Sequence, residues 1–310
     1  MPDRLDQRPS EGRAASSRTG GALALLVRWI ERSVDQDRFG WFRAMLAAVA
    51  EAKDDRVLLR AVGLAPRKLG KADLLLSADD LRQAQEVRPG FDPRGLSVDQ
   101  AARIAFVLAS DRGDDAVFAA GLDALCRTAE INELIAYYRG LAIFPGAPFL
   151  RQRAAEGVRS AMKPVFEAVA HRNPFPREMF DQNAWNQMVL KALFIETTLA
   201  PIQGIDERAN EELARMLVDY AHERWAAGRP VSPELWRCVG PYAGTWAIAD
   251  LARVLHDADP VQQQAATLAL AQSPEPEAAD LLALRPDLQA ALSAGRLSWD
   301  SLTGRRTGPF

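Results

Sequence analysis

The sequence predicts an all-α protein, built of helical hairpins packed as a HEAT-like or solenoid-like array with no significant sheet. Three observations lead there. The 310 residues include 54 Ala and 37 Leu against 9 Ile, so strong helix formers dominate and β-branched residues are scarce. Apolar residues recur at helical spacing over stretches of about 10–18 residues, separated by short Pro/Gly/Asp breaks. Period-2 alternation, the mark of a half-buried strand, is missing.

Residues 1–20 contain almost no apolar side chains and are expected to form a mobile tail. Ala22-Leu-Ala-Leu-Leu-Val27 is broken at once by Arg28 and follows a mixed-charge leader, so it reads as the first helix rather than a signal peptide. Ser97-Val-Asp-Gln100 has capping-box spacing and opens a helix that buries Ile104, Val107 and Leu108. Phe118, Leu122 and Leu125 share one face of the next helix. Ile131, Leu134, Ile135 and Tyr138 stripe another before Phe144-Pro145-Gly146. Asp181 caps a helix running to about Thr198, apolar nearly all round, and Asn210 opens one that buries Leu213, Met216, Leu217, Tyr220 and Ala221. Ile248, Leu251, Val254 and Leu255 stripe a further helix. Asp259-Pro260 then caps one carrying Val261, Ala265, Leu268 and Ala269, and Pro274-Glu-Pro276 starts a short unit with Leu281 and Leu282. The expected division is a tail over 1–20, a helical domain over 21–237 and a region of short HEAT-like helices over 238–310.

Charge and cysteine content narrow the function classes. A net charge of -3 and a pI near 5.8 lack the basic footprint of a nucleic-acid binder, so no nucleic acid is expected as a partner. Cys126 and Cys238 sit in apolar helical contexts without a CxxC partner, which reads as two small core residues in a reducing compartment. No uncharged apolar run approaches the roughly 18–20 residues of a membrane span. No glycine loop fits a phosphate cradle. The expected location is the cytoplasm, with peripheral attachment at the inner membrane through the Leu23–Trp29 helix as an alternative.

Polar residues interrupt otherwise buried helices between 171 and 237, at a cost of roughly 1–3 kcal/mol each unless paired. On the helix after Asp181 the exceptions form one stripe, Asn183, Gln187 and Lys191, with Asn186 beside it. The next helix carries Glu211, Arg215, Asp219 and Glu223 four residues apart, with His222 adjacent. One reading is a polar seam satisfied between neighbouring helices; the other is a set of donors and acceptors facing a ligand or partner. The candidate binding residues are Trp185, Asn186, Gln187, Lys191, Asp206, Arg208, Arg215, Asp219, His222, Glu223 and Trp225. An enzyme using Asp219, His222 and Lys191 is the alternative, since a His one turn from an Asp can be oriented as a general base. No nucleophile stands near them, and His222-Glu223 lacks the second His of a zinc-protease helix, so no catalytic residue, metal ligand or cofactor is assigned. Trp185, Trp225, Trp236 and Trp246 are expected in the core, their indole N–H groups satisfied by nearby polar residues.

In the same region the chain resembles the EboA family. The resemblance is carried by Asn173-Pro-Phe-Pro176, Ala184-Trp-Asn-Gln-Met-Val-Leu-Lys-Ala-Leu-Phe194 and Gly204-Ile-Asp-Glu-Arg-Ala-Asn210. It continues through Leu213-Ala-Arg-Met-Leu-Val-Asp-Tyr-Ala-His-Glu-Arg-Trp-Ala-Ala-Gly-Arg229 and Pro233-Glu-Leu-Trp-Arg237. Glu211 departs from the pattern, where Pro is expected after Asn210, and this touches only the local helix start. The resemblance implies a metabolite-traffic protein of bacterial gene clusters for secondary-metabolite maturation, with precursors moving toward the periplasm. It also implies partners from the same cluster, including a prenyltransferase-like membrane protein; the concave or bent middle, 173–237, is expected to hold such a partner or a small aromatic or terpenoid-like metabolite. It carries over no catalytic residue.

Overall fold

A computed structural model describes the backbone of residues 9–303 and the side chains of residues 20–302. The tail expected over 1–20 lies, for residues 1–8 and for side chains up to 19, outside the described residues. Among the described residues there are 18 α-helices, two short 3-10 turns and no strand, so the all-α expectation holds. The chain forms two compact units, Met1–Phe180 and Asp181–Phe310. The 237/238 division drawn from the sequence falls inside the second.

The first unit contains α1 (Pro9–Ser33), α2 (Gln36–Glu51), α3 (Arg56–Leu69), α4 (Ala78–Val87) and α5 (Val98–Ala109). It continues with α6 (Asp115–Thr128), α7 (Ile131–Gly140), α8 (Arg151–Arg159), α9 (Lys163–Ala170) and α10 (Phe175–Met179). Its centre is α5, which packs against α1, α2, α3 and α7. The Ser97/Gln100 capping box forms as expected, and Ala101 through Leu108 are all buried. Burial on every side includes Arg103, 1% exposed, whose guanidinium donates to Asp99 and to the Val62 carbonyl, both at 3.2 Å. A buried charge survives only when paired and hydrogen-bonded in this way.

A second buried charge fixes α4 to α1. Asp80 accepts hydrogen bonds from Trp29 Nε1 at 3.0 Å, from Arg32 at 2.7 Å, and from the Ser77 amide and hydroxyl at 2.8 and 2.7 Å. Burial alone would raise its pKa, but these donors together outweigh that effect and hold the carboxyl well below the usual carboxylate range. A depressed folded-state pKa gives stability that is fully present above the unfolded value, about 3.9, and is lost as pH falls toward the folded one. The stability difference between the wild type and Asp80→Asn is therefore expected to be constant near neutrality. Below about pH 4 it should shrink, as measured by urea unfolding against pH.

Leu25, Leu26, Trp29 and Ile30 of α1 are all 3% exposed or less. The Leu23–Trp29 helix proposed for membrane attachment therefore has its apolar face in the core. Among the described residues no helix is long and apolar enough to cross a membrane. On α7 the buried set is Ala136, Tyr137, Tyr138 and Gly140, while Ile131 is 38% exposed, so the buried face is rotated from the expected stripe. Tyr138 is buried as expected, and Tyr137, with more area to bury, turns inward beside it. The family block Asn173-Pro-Phe-Pro176 closes this unit. Asn173 is buried, donates to the Tyr138 and Ala168 carbonyls at 3.0 and 3.3 Å, and accepts from the Phe175 amide at 3.1 Å.

The second unit contains α11 (Gln182–Phe194), α12 (Glu211–Ala226), α13 (Leu235–Val239), α14 (Thr245–Leu255) and α15 (Pro260–Leu270). The last three are α16 (Pro276–Ala283), α17 (Pro286–Ser293) and α18 (Trp299–Thr303). Here α15 is central: Ala265 through Leu270 are buried, and it packs on α13, α14, α16, α17 and α18. Asp259 caps it by accepting from the Val261 amide at 2.8 Å, with Pro260 at the first helical position as the sequence predicts. Ile248, Leu251, Val254 and Leu255 of α14 are buried as expected. Cys126 and Cys238 are buried free thiols, one in each unit, and desolvation pushes both up to about 12.

Candidate functional site

The midsection of the second unit is organised by the connection from α11 to α12. Asp181 caps α11, accepting from the Ala184 amide at 2.8 Å. The helix ends at Phe194 rather than near Thr198, because Glu196 takes a left-handed conformation with φ 56°. The Glu196 amide then bonds the Leu193 carbonyl and the Thr197 amide the Ala192 carbonyl, a Schellman closure with Glu where Gly is usual. With the helix stopped there, Phe194 is 69% exposed instead of buried.

A buried carboxylate anchors the start of the chain that follows. Glu234, 7% exposed, accepts from Thr198 Oγ1 at 2.8 Å and from the Leu199 and Ala200 amides at 3.0 and 3.1 Å. Leu199, Ile202 and Ile205 are buried along the same segment. At its far end Tyr242 donates its hydroxyl to the Ala209 carbonyl at 2.8 Å. Asn210 then caps α12, accepting from the Leu213 amide at 2.9 Å. So α12 starts at Glu211, and the missing proline does not prevent initiation.

Asn186 is fully buried and forms a reciprocal amide pair with Asn210. Its Nδ2 donates to Asn210 Oδ1 at 3.3 Å and its Oδ1 accepts from Asn210 Nδ2 at 2.9 Å, with Glu212 at 3.5 Å as a further acceptor. This links α11 to α12, but not along the face carrying Glu211, Arg215, Asp219 and Glu223. That face is exposed, as a solvated face would be. Arg215 pairs with Glu211 at 2.7 Å and lies 4.6 Å over the Trp246 ring, an exposed contact of little energetic weight. Gln187, Asp219 and Glu223 are exposed and make no side-chain hydrogen bond or ion pair among the described residues.

His222 takes its carboxylate partner from α14. Its Nε2 lies 2.8 Å from Asp250 Oδ1, so Asp219, one turn away, is not its mate. Trp225 is half-buried between His222 and Trp236, with ring centroids 5.7 and 5.9 Å away, and under the Arg253 guanidinium at 4.0 Å. Asp206 is gripped by Arg237 through two bonds of 2.6 Å. Desolvation works to lower the Arg237 pKa, but the bonds and charge of Asp206 outweigh it, and the net shift is upward. Arg208 lies 4.7 Å over the buried Trp185 ring; desolvation lowers its pKa, opposed by the charge of Asp181. Lys191 is half-buried and its pKa is also lowered by desolvation. The Trp185 and Trp236 indole N–H groups, expected to find polar mates, meet no acceptor.

A recess among Leu193, Glu196, Thr197, Tyr220, Arg224 and Ser232 is about 10 Å³. That is room for a single water. Among the described residues no group of three His, Cys, Asp or Glu side chains could hold a metal ion. The residues that organise the region, Asn210, Glu234, Arg237 and Asp250, were absent from the sequence-derived set. Glu234 had left a weak signal, a carboxylate directly before Leu235-Trp236 in a segment whose other charge is Arg237.

Fold and midsection together define an all-helical protein whose midsection is joined by amide and ion pairs between helices and the loop connecting them. Residues 22–240 match the family described as metabolite traffic protein EboA, and the chain belongs to that family. Neither a curated protein nor a solved structure matches it.

Proposed function

We propose that the protein is a non-catalytic helical binding or scaffold component in bacterial secondary-metabolite maturation, assisting movement of precursors toward the periplasm. Its partners would be proteins of the same gene cluster, a membrane prenyltransferase-like protein among them, and its cargo a small aromatic or terpenoid-like metabolite. The HEAT-like array expected from the sequence and a cytoplasmic location belong to the same proposal. The observation that carries it is the pairing of the midsection: Asn186 with Asn210, Asp206 with Arg237, and His222 with Asp250. Groups bonded to one another stabilise a shape, whereas catalysis requires them to converge on a reactive atom.

The test is an affinity pull-down of the full chain from its native host, with mass spectrometry of co-purifying proteins and small molecules. Co-purification of cluster proteins is expected. Turnover of a pathway metabolite by the purified chain, abolished by His222→Ala, would establish the enzyme reading instead.

A further inference from the structure

A further recess lies wholly inside the first unit. It is a cleft of about 520 Å³. Its walls are the C-terminal ends of α2 and α5, the first turn of α3 and one face of α6. That volume falls within the range of roughly 300–1,000 Å³ typical of small-molecule sites.

The floor is apolar and buried: Leu58, Val107, Phe118 and Leu122 are 7% exposed or less. Arg112 holds two of the walls together. Its Nη2 donates to the Val49 and Ala52 carbonyls at the end of α2, at 3.0 and 2.9 Å, and its Nη1 to Ala109 at the end of α5, at 3.3 Å. A guanidinium on two helix C-termini meets the negative ends of both dipoles, so its charge is largely compensated there. The cleft is thereby preformed, which lowers the cost of ordering it around a ligand.

Two cations, Lys53 and Arg112, and two anions, Asp54 and Asp55, stand at the mouth, leaving no formal charge excess. Asp54 accepts from the Arg56 amide at 2.9 Å, while Lys53 and Asp55 make no side-chain hydrogen bond or ion pair among the described residues. An apolar floor selects an apolar body, and a balanced mouth disfavours net charge. One open donor and one open acceptor suit a hydroxyl or carbonyl. We infer that this cleft binds an uncharged, largely apolar small molecule carrying a hydrogen-bonding oxygen; this rests on the proposed metabolite-binding role and gives it a place and a ligand class.

Gly121 on the α6 wall provides the test. A Cβ there would meet nothing within 4 Å, so a larger side chain enters open cleft space rather than the core. Replacing a helix-interior glycine also favours the helix, by up to about 1 kcal/mol. The full chain is titrated with the uncharged dye Nile red and, separately, with the anionic dye 8-anilinonaphthalene-1-sulfonate. One saturable Nile red site with blue-shifted emission is expected, weakened at least about tenfold in Gly121→Phe. That variant should keep its far-UV circular dichroism and melt no lower than wild type. Ala124→Leu, one turn further along the same wall, gives an independent reading and should also weaken the dye. Absence of a saturable Nile red site, or binding unchanged in both variants, would overturn the assignment. Equal or tighter binding of the anionic dye at the same site would overturn the uncharged class. Failure here with a successful pull-down removes the cleft alone; failure of the pull-down with dye binding intact removes the scaffold reading.

Discussion

Glu234→Ala is expected to destabilise the protein by about 3 kcal/mol, the larger of the two effects anticipated in the midsection. The carboxylate accepts from Thr198 Oγ1 and from two consecutive amides, Leu199 and Ala200. Leu199 is fully buried, so its N–H has no route to water once the acceptor is gone. An unmade bond to a buried donor costs roughly 1–3 kcal/mol, and bonds to a charged acceptor lie at the upper end. Glu234→Gln retains shape and one oxygen but turns an amide NH2 toward donors, so a smaller loss of about 1–2 kcal/mol is expected. Urea unfolding of both variants checks the order; a loss below about 0.5 kcal/mol for Glu234→Ala would mean the loop is held by other means.

Asn186→Leu is expected to cost about 2 kcal/mol although it places an apolar side chain of the same branching and heavy-atom count at a fully buried position. Asn210 would lose both its acceptor and a donor on Asn186 while remaining the cap of α12. The loss follows because Asn210 gives up both bonds to Asn186, although its amide still reaches the Arg208 carbonyl and the Leu213 N–H. Asn210→Ser keeps a capping oxygen yet removes the amide pair. A double-mutant cycle between Asn186→Leu and Asn210→Ser should show coupling of about 1 kcal/mol or more. Additive losses would show that the two amides act independently.

Helix identity was legible in the sequence wherever a local rule decided it. Ser97 with Gln100, Asp181, Asn210 and Asp259 all cap helices as their side-chain chemistry requires. The stripe of α14 needed only periodicity. Legibility failed where distant partners decide. The end of α11 was missed because a left-handed Glu196 carries no composition signal, Gly being the usual marker. The face of α7 was misread because Tyr137 competes with Ile131 for burial, and only tertiary packing settles which wins. The candidate site was partly legible for a similar reason. Asn186 stood out as a polar residue in a buried helix, but its mate Asn210 had been read only as a cap. His222 was assigned Asp219 by helical spacing, whereas Asp250 arrives from 28 residues away in sequence. The cleft in the first unit was not anticipated, because its floor residues are ordinary helix-core positions and its shape comes from where the helices stop.

The midsection's buried polar groups secure the chain between α11 and α12. Native-state hydrogen exchange at the Leu199 and Ala200 amides tests this most directly. Both amides are expected to be strongly protected in the wild type and to exchange far faster in Glu234→Ala, while amides at the centre of α12 keep most of their protection. Rapid exchange of both in the wild type, at the rate of an open loop, would contradict it.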